Sequence, residues 1–572
     1  MKVAIDLRLR KRTIKTNERL SRRGWWMRMS IPSVLVVSLA PMLLSCGSSA
    51  GHSSQDPQSA AQFGVEPEPQ SPLVMPGNSL AIFIIAIPHV GSLWNGVIAV
   101  TVSGGTSGLT VTPASFSVDT TQGTGETVTL AADSSLAPGG YSFTVTGTSG
   151  TMSASAMLTV AVVQPPPPAT QLQANVLYNF TPQDGKPAGP LIADSAGNLY
   201  GVAGEEVFKL SYSNGTWQEI VLYTFPQVDT GPEPIGSLAM DASGNLYGVT
   251  AEGGSTNCGP PGCGMVYELT PTASGWQETV LHKFDSGTDG SEPTEGLVFD
   301  KAGNLYGTTR YGGYVGNALC ASTLGCGTVF TFTRSPSGWQ YSVIYSFQGF
   351  TEGFTPDSTI IIDQQGNLYG TTEGEGYQSS GNGGNSTCHD GCGTVFKLTK
   401  TASGWQETTI YSFDGLGTDG ADPTGVVMDS GGNLYGTTSI GGFYDGACPT
   451  TSGGNFFELS PVNGGWTFSN LYFFLGCNFG YSPLDVIRDQ SGDFYGVAGG
   501  GPAACDFNLG CGVVFQLSQP AQGWIESAYY DFPSSGADGW SPSAVTWVGG
   551  KLYGTTSQGG ESNFGVIFEI SP

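Results

Sequence analysis

Five acidic residues, each followed by glycine, recur through the C-terminal two thirds of the chain: Asp184, Asp289, Glu352, Asp419 and Asp538. Carboxylates supported by backbone carbonyls suit a hard cation, so a ring of them is a candidate calcium or ligand site. FDSGTDG (Phe284–Gly290) has part of the spacing of a calcium loop. The same Asp-Gly pairs also make tight turns with no ligand at all. Paired carboxylates could also serve hydrolysis, provided their environments separate their pKa values. Other chemistry finds little support. The four histidines, His52, His89, His282 and His389, are scattered, and no GxSxG, HExxH or phosphate-cradling loop is present. No catalytic residue is assigned.

Cysteine is the second reactive type. Beyond Cys46, eight cysteines form close pairs, Cys258-Cys263, Cys320-Cys326, Cys388-Cys392 and Cys505-Cys511, and Cys448-Cys477 remain for each other. Each close pair precedes a β-rich run such as GTVFKLT. An even count in an exported chain reads as disulfides. Zinc is the rival at Cys388-His389-Asp390-Gly391-Cys392, but no second ligand pair accompanies it. A metal therefore stays unassigned, with calcium the one cofactor to test.

Export is read from the N-terminus. Basic residues from Arg8 to Arg28 precede an apolar stretch, Ile31 to Leu44, that is interrupted by Pro32 and Pro41. It is too short to span a bilayer comfortably and fits a cleaved signal over residues 1–45. The stretch ends Leu43-Leu44-Ser45-Cys46, which resembles a bacterial lipoprotein signal. That resemblance implies cleavage before Cys46 and lipidation of its sulfur. SRRGWW (Ser21–Trp26) also resembles a twin-arginine signal, so the export route stays open. Residues 46–75 read as a flexible tether.

Charge narrows the partners. The first 45 residues hold ten of the 20 Lys and Arg but only two of the 46 Asp and Glu. The remaining surface repels phosphate backbones and anionic lipid heads, so nucleic acid is excluded as a partner and the lipid at Cys46 is the expected membrane contact.

These residues need elements to position them. Gly is abundant at 87 residues, charged residues make up only 12%, and no long helical periodicity occurs beyond the leader. The chain reads as all-β. Residues 76–163 alternate in short runs with the spacing of an Ig-like β-sandwich. LAPGGYSFTVTGTSG (Leu136–Gly150) resembles later strands of bacterial immunoglobulin-like domains, which usually act as spacers or adhesion units. QPPPPAT, residues 164–170, is a stiff linker.

Residues 171–572 repeat. GNLYGTT stands intact at Gly303–Thr309, Gly366–Thr372 and Gly432–Thr438, with four near-copies. Its tyrosines, Tyr200, Tyr247, Tyr306, Tyr369, Tyr435, Tyr495 and Tyr553, give a mean period of about 59 residues. Each unit has four strand-like pieces, a to d. In the fifth these are Gly425–Asp429, Asn433–Thr438, Gly454–Ser460 and Gly465–Phe474. An Asp-x-x-Gly turn joins a to b in six units, and Trp547 replaces the Asp in the seventh. Trp217, Trp276, Trp339, Trp405, Trp466 and Trp524 open the d strands and are assigned to packing.

The phase of the ends selects a ring over a rod. The region opens on a lone d strand, Ala174–Phe180, and closes on a c strand, Gly565–Ser571. Together they complete a seventh unit, as a closed propeller requires and a capped solenoid does not. The expected fold is a seven-bladed β-propeller preceded by an Ig-like sandwich.

GNLYGTT, then CGTVFKLT, then GWQETTIYSFDG resembles the tandem repeat named GloVer, found in bacterial choice-of-anchor surface proteins. The resemblance implies an exported, surface-attached repeat protein and brings no catalytic residues. A four-stranded meander places the b–c and d–a loops on one face, and here that face is the long and varied one. Tyr311, Tyr314, Tyr377, Phe443, Tyr444 and Trp540 on it could stack on sugar rings or anchor their own loops. The favoured reading is a lipid-anchored monomer that binds a glycan, peptide or envelope protein through this face. The alternative is a polysaccharide hydrolase or lyase using its carboxylates.

Overall fold

The computed structural model describes residues 63–68, 73–74, 79–88, 96–119, 125–136, 139–162, 172–226, 233–259, 261–313, 324–374, 392–413, 419–441, 453–474, 480–484, 486–501, 505, 510–519 and 524–571. The export signal, Cys46 and the proline-rich linker lie outside the described residues.

Two sheets share the first core. One has the order Phe63–Glu68, Ser79–Pro88, Gly125–Ala132, Leu109–Thr112. The other runs Leu73–Val74, Met152–Val162, Gly139–Ser149, Val97–Gly104, Ser115–Asp119. Alternation drives the burial: in Val97–Gly104, Ile98, Val100 and Val102 point inward while their neighbours face water. The tether reading of residues 46–75 needs correction. Phe63–Glu68 and Leu73–Val74 are strands, and Val65 and Val74 are each only 3% exposed in this core. Two short apolar pieces between prolines look like linker in isolation, and only their partner strands give them a place.

From Ala174 onward the strands among the described residues form seven sheets. In the first the order is Pro187–Ala193, Leu199–Ala203, Glu206–Ser213, Thr216–Thr224, which are strands a, b, c and d. The same antiparallel meander recurs five times. The seventh sheet combines Trp540–Val548, Lys551–Gln558 and Val566–Ile570 with Ala174–Asn179 from the other end of the region. Ala174 pairs with Ile570 and Asn179 with Val566, antiparallel, as the phase of the repeat predicts. Among the described residues no sheet takes strands from both parts of the chain.

The b strand is the most deeply buried element, with all five residues of Leu305–Thr309 buried. Its Leu-Tyr-Gly core has a packing reason. A Cβ on Gly307 would lie 2.6 Å from Phe330 Cζ and 2.9 Å from Leu297 Cδ2, so glycine makes room for the aromatic ring of strand c.

The a–b turn explains the rest of the signature. Asp194 Oδ1 accepts the backbone N–H groups of Ala196 and Asn198 at 2.9 and 3.0 Å. Its Oδ2 accepts from Asn198 Nδ2 at 2.7 Å and the Tyr200 hydroxyl at 3.0 Å. The same four bonds recur at Asp241, Asp300 and Asp363. Burial pushes these carboxyls up, but the bonds from Asn198 and its counterparts outweigh it and hold all four below the ordinary range.

That tyrosine also meets the tryptophan of the next sheet. Tyr247 packs on Trp339, Tyr306 on Trp405, Tyr369 on Trp466 and Tyr435 on Trp524, with ring centroids 5.8 to 6.4 Å apart. Tyr553 of the last sheet meets Trp217 of the first at 6.4 Å. Thr546 Oγ1 of the last sheet also donates to the Leu191 carbonyl of the first at 2.7 Å.

Candidate functional site

At the b–c and d–a end, each of the five expected acidic residues has a partner from its own preceding d strand. Asp184 Oδ2 accepts from Tyr178 at 3.1 Å and from the Thr181 N–H at 2.8 Å. Asp289 lies 3.0 Å from His282 Nε2. Glu352 accepts from Tyr345 at 2.7 Å, Asp419 from Tyr411 at 3.1 Å and Asp538 from Tyr530 at 2.6 Å. Each carboxylate therefore fastens a d–a loop to the strand before it. The signal was available in sequence: a Tyr or His two residues before a Phe, six to eight residues ahead of the acid. His282 takes the Tyr slot for the same reason, and it stacks on Tyr341 of the next sheet at 3.7 Å. Among the described residues no three His, Cys, Asp or Glu side chains converge to hold a metal ion.

The cysteines brace this end. Cys258–Cys263 and Cys505–Cys511 are disulfides, with Cα separations of 5.3 and 4.9 Å. Cys326 and Cys392 are also disulfide-bonded. Their expected partners Cys320 and Cys388, and the pair Cys448 and Cys477, lie outside the described residues. Disulfides place the protein in an oxidising, extracytoplasmic compartment. No helix among the described residues is long and apolar enough to cross a membrane.

The second cysteine of each close pair, Cys263, Cys326, Cys392 and Cys511, stands where two sheets meet. The next residue is a glycine packed on a proline of the following a strand. A Cβ on Gly264 would lie 2.5 Å from Pro293 Cδ, and one on Gly393 would lie 2.5 Å from Pro423 Cδ. Gly327 faces Pro356, Gly454 faces Pro483 and Gly512 faces Pro542 in the same way. The residue before each proline is left-handed: Glu292, Thr355, Asp422, Ser482 and Ser541 have φ between 48° and 57°. This conformation is costly for side chains of this kind, and proline itself biases its predecessor toward extended backbone. Hydrogen bonds hold it in place. Thr355 N–H donates to the Cys326 carbonyl at 2.9 Å, Asp422 to Cys392 at 3.0 Å and Ser541 to Cys511 at 2.8 Å.

Inside this frame lies a cavity of about 820 Å³. All seven a segments contribute to it, through Leu191, Ile235, Glu295, Asp357, Asp422, Arg488 and Trp547. Glu373, at the end of its b strand, completes an acidic wall with Asp357 and Asp422. Arg310 Nη2 reaches Asp357 at 2.9 Å and Glu373 at 2.8 Å. Burial pushes the Asp357 carboxyl up to about 6 although Arg310 pulls it down. Burial and the neighbouring Glu373 also raise Asp422 to about 6. Sequence reasoning missed these groups, because they occupy positions that vary from unit to unit. The one available signal is the charged residue after GTT, Arg310 in one copy and Glu373 in the next.

Of the expected aromatic contacts, Tyr311 is half-buried and pairs with Ser291 across its sheet. Trp540 is also half-buried and packs against the core of the last two sheets. Tyr314, Tyr377, Phe443 and Tyr444 lie outside the described residues.

A family model described as the Gloeobacter/Verrucomicrobia repeat matches residues 134–383 and 259–467, together more than half of the chain. No curated protein matches. Solved structures resemble the fold only distantly. A PL25 ulvan lyase, a polysaccharide lyase solved with bound -[GlcA(1-4)Rha3S]-, is 11% identical over 70% of this chain and 96% of its own, with a TM-score of 0.40. A protein of unknown function from Dyadobacter fermentans is 10% identical over 70% and 98%, with a TM-score of 0.36. A quinoprotein alcohol dehydrogenase-like protein from Bacteroides thetaiotaomicron is 10% identical over 80% and 94%, with a TM-score of 0.33. Likeness this remote says nothing about chemistry.

Proposed function

The chain belongs to the Gloeobacter/Verrucomicrobia repeat family, and from that premise we propose that it is a lipid-anchored, extracytoplasmic binding module. In this reading Cys46 carries the lipid, the sandwich is a spacer, and the repeats form a closed seven-bladed β-propeller. The b–c and d–a loop face engages a glycan, a peptide or an envelope protein. The pairing of Ala174–Asn179 with Val566–Ile570 and the contact of Tyr553 with Trp217 support closure. The observation that carries the binding role is the cavity lined by all seven a segments. Its acidic wall sits where the d–a loops end and the b–c loops begin, while Arg488 and Trp547 line it near the a–b turns. Rigid strands that present varied loops around a concavity are the usual arrangement of a ligand site.

The alternative is a polysaccharide hydrolase or lyase. Asp357 and Asp422, both near 6, favour it, because carboxyls in that range supply acid and base forms near neutrality. One experiment separates the two. The full-length chain, purified in detergent, is incubated with a panel of insoluble and soluble polysaccharides. Retention is scored, and released products are sought by mass spectrometry. Retention without products is the expected result. Products that disappear in the Asp357→Asn or Asp422→Asn variant would make the protein an enzyme. Neither retention nor products would leave a protein ligand as the remaining binding partner.

A further inference from the structure

We propose that the cavity between the a segments is a site for an organic cation, a ligand that carries at least one protonated amine on an uncharged body. The inference rests on the binding reading above and names the ligand class that reading leaves open. At about 820 Å³ the cavity falls within the span of small-molecule sites, roughly 300–1,000 Å³. Its charge is one-sided. Glu295, Asp357, Glu373 and Asp422 line it from three consecutive units, and Arg488 is the one basic residue among its lining side chains. Arg310 offsets part of the charge through one oxygen each of Asp357 and Glu373. Asp422 has no such relief. Its carboxylate accepts no hydrogen bond among the described residues, while its backbone is held left-handed by the bond to Cys392, against the bias of Pro423. This carboxylate stays open on the cavity lining, where an ammonium group would supply both the opposite charge and the donors.

An amine fits this wall better than a metal ion does. Calcium takes six to eight oxygens at about 2.3–2.6 Å, and no three acidic side chains among the described residues converge that closely. An ammonium group needs only one or two oxygens and can reach separate carboxylates through a longer body. Leu191, Ile235, Leu484 and Ile487 give that body an apolar wall. A polyanion would meet four carboxylates and is excluded by the same charge.

Isothermal titration of the full-length chain at pH 7.5 tests this with three probes. They are a glucosamine tetramer, its fully N-acetylated counterpart, and spermidine as an amine without a sugar. The glucosamine tetramer is expected to bind, with the N-acetylated form at least about tenfold weaker, since loss of one charge-assisted bond is worth that much. Spermidine binding would show that the amine suffices, and its failure beside tetramer binding would assign the body to a sugar. Asp422→Asn and Glu373→Gln should each weaken binding by about tenfold. Asparagine tolerates the left-handed backbone, so Asp422→Asn should keep its melting temperature. Equal affinity for both tetramers, indifference to both substitutions in a folded variant, or no binding of either amine would each overturn the inference. Retention on a neutral or acidic polysaccharide in those cases would leave the binding role standing.

Discussion

Trp547 stacks on Tyr495 of the preceding sheet, with ring centroids 4.9 Å apart and planes within 23°. This contact resolves two departures of the seventh unit at once. Its d strand, Ala174–Asn179, has no tryptophan to offer the tyrosine of the sixth sheet. Its a–b turn lacks the aspartate, and Trp547 stands in that place. The residue that removed a turn carboxylate supplies the missing indole from the a strand. Trp547→Asp restores the consensus of the repeat but is expected to destabilise the protein by about 2 kcal/mol, because a half-buried aromatic contact is lost. Trp547→Phe should cost less. Urea unfolding midpoints of the two variants check the order, and an Asp variant as stable as the parent would dismiss the exchange.

The glycine-proline joints should be intolerant of one methyl group. Gly393 has φ of 90°, and a Cβ there would lie 2.5 Å from both Pro423 Cδ and the Thr372 carbonyl oxygen. Left-handed backbone alone costs an alanine about 1–2 kcal/mol, and the clash adds to it. Gly393→Ala is therefore expected to lower stability by at least about 2 kcal/mol. Gly366→Ala also places alanine at positive φ but meets nothing within 4 Å, so it reports the backbone cost by itself. Equal losses at the two sites would mean that the joint carries no steric load.

Stability should fall on the alkaline side through buried and half-buried carboxyls on the d strands. Glu526 is 1% exposed, and its carboxyl is pushed up to about 8 by burial, with the Tyr472 hydrogen bond pulling it down and Asp531 adding to the rise. Tyr472 donates to Oε2 at 2.7 Å, whereas Oε1 has no partner. Glu219 and Glu407 occupy the same slot, and burial raises both to about 7; nearby Asp184 and Glu206 add for Glu219, and Glu352 adds for Glu407. A raised carboxyl favours folding while protonated. Its contribution is complete below the unfolded value near 4.3 and disappears as pH rises through 7 to 8. The turn aspartates act in the opposite sense. Their lowered values favour folding above about 3.9, and that contribution is lost on acidification. Glu526→Gln should match the parent at pH 5 and exceed it at pH 9 by on the order of a few kcal/mol. Parallel pH profiles of the two proteins would contradict this.

Calcium should leave the melting temperature unchanged up to millimolar concentrations. The five acidic residues of the d–a loops each accept a bond from a strand tyrosine or face His282, and they do not gather around one point. A rise of several degrees, reversed by chelation, would show that they form an ion site despite those partners.

What the sequence by itself determined is the local and periodic part. Alternating apolar residues set the strands, and Asp-x-x-Gly followed by Asn and Tyr set five of the a–b turns within seven residues. The phase of the two ends predicted that Ala174–Phe180 would pair with the last strand. Even the cysteines, close in sequence, declared an oxidising compartment. Tertiary structure decided what depends on neighbours far along the chain. It gave Asp184 and its four counterparts tyrosine or histidine partners, and it drew Phe63–Glu68 out of an expected tether into a sheet. It also brought Arg310, Asp357, Glu373 and Asp422 to one wall across more than a hundred residues. A turn is specified by bonds among adjacent residues, so a short motif can carry it. A cavity wall is specified by which units become neighbours and by one variable side chain from each, and no repeated motif records that.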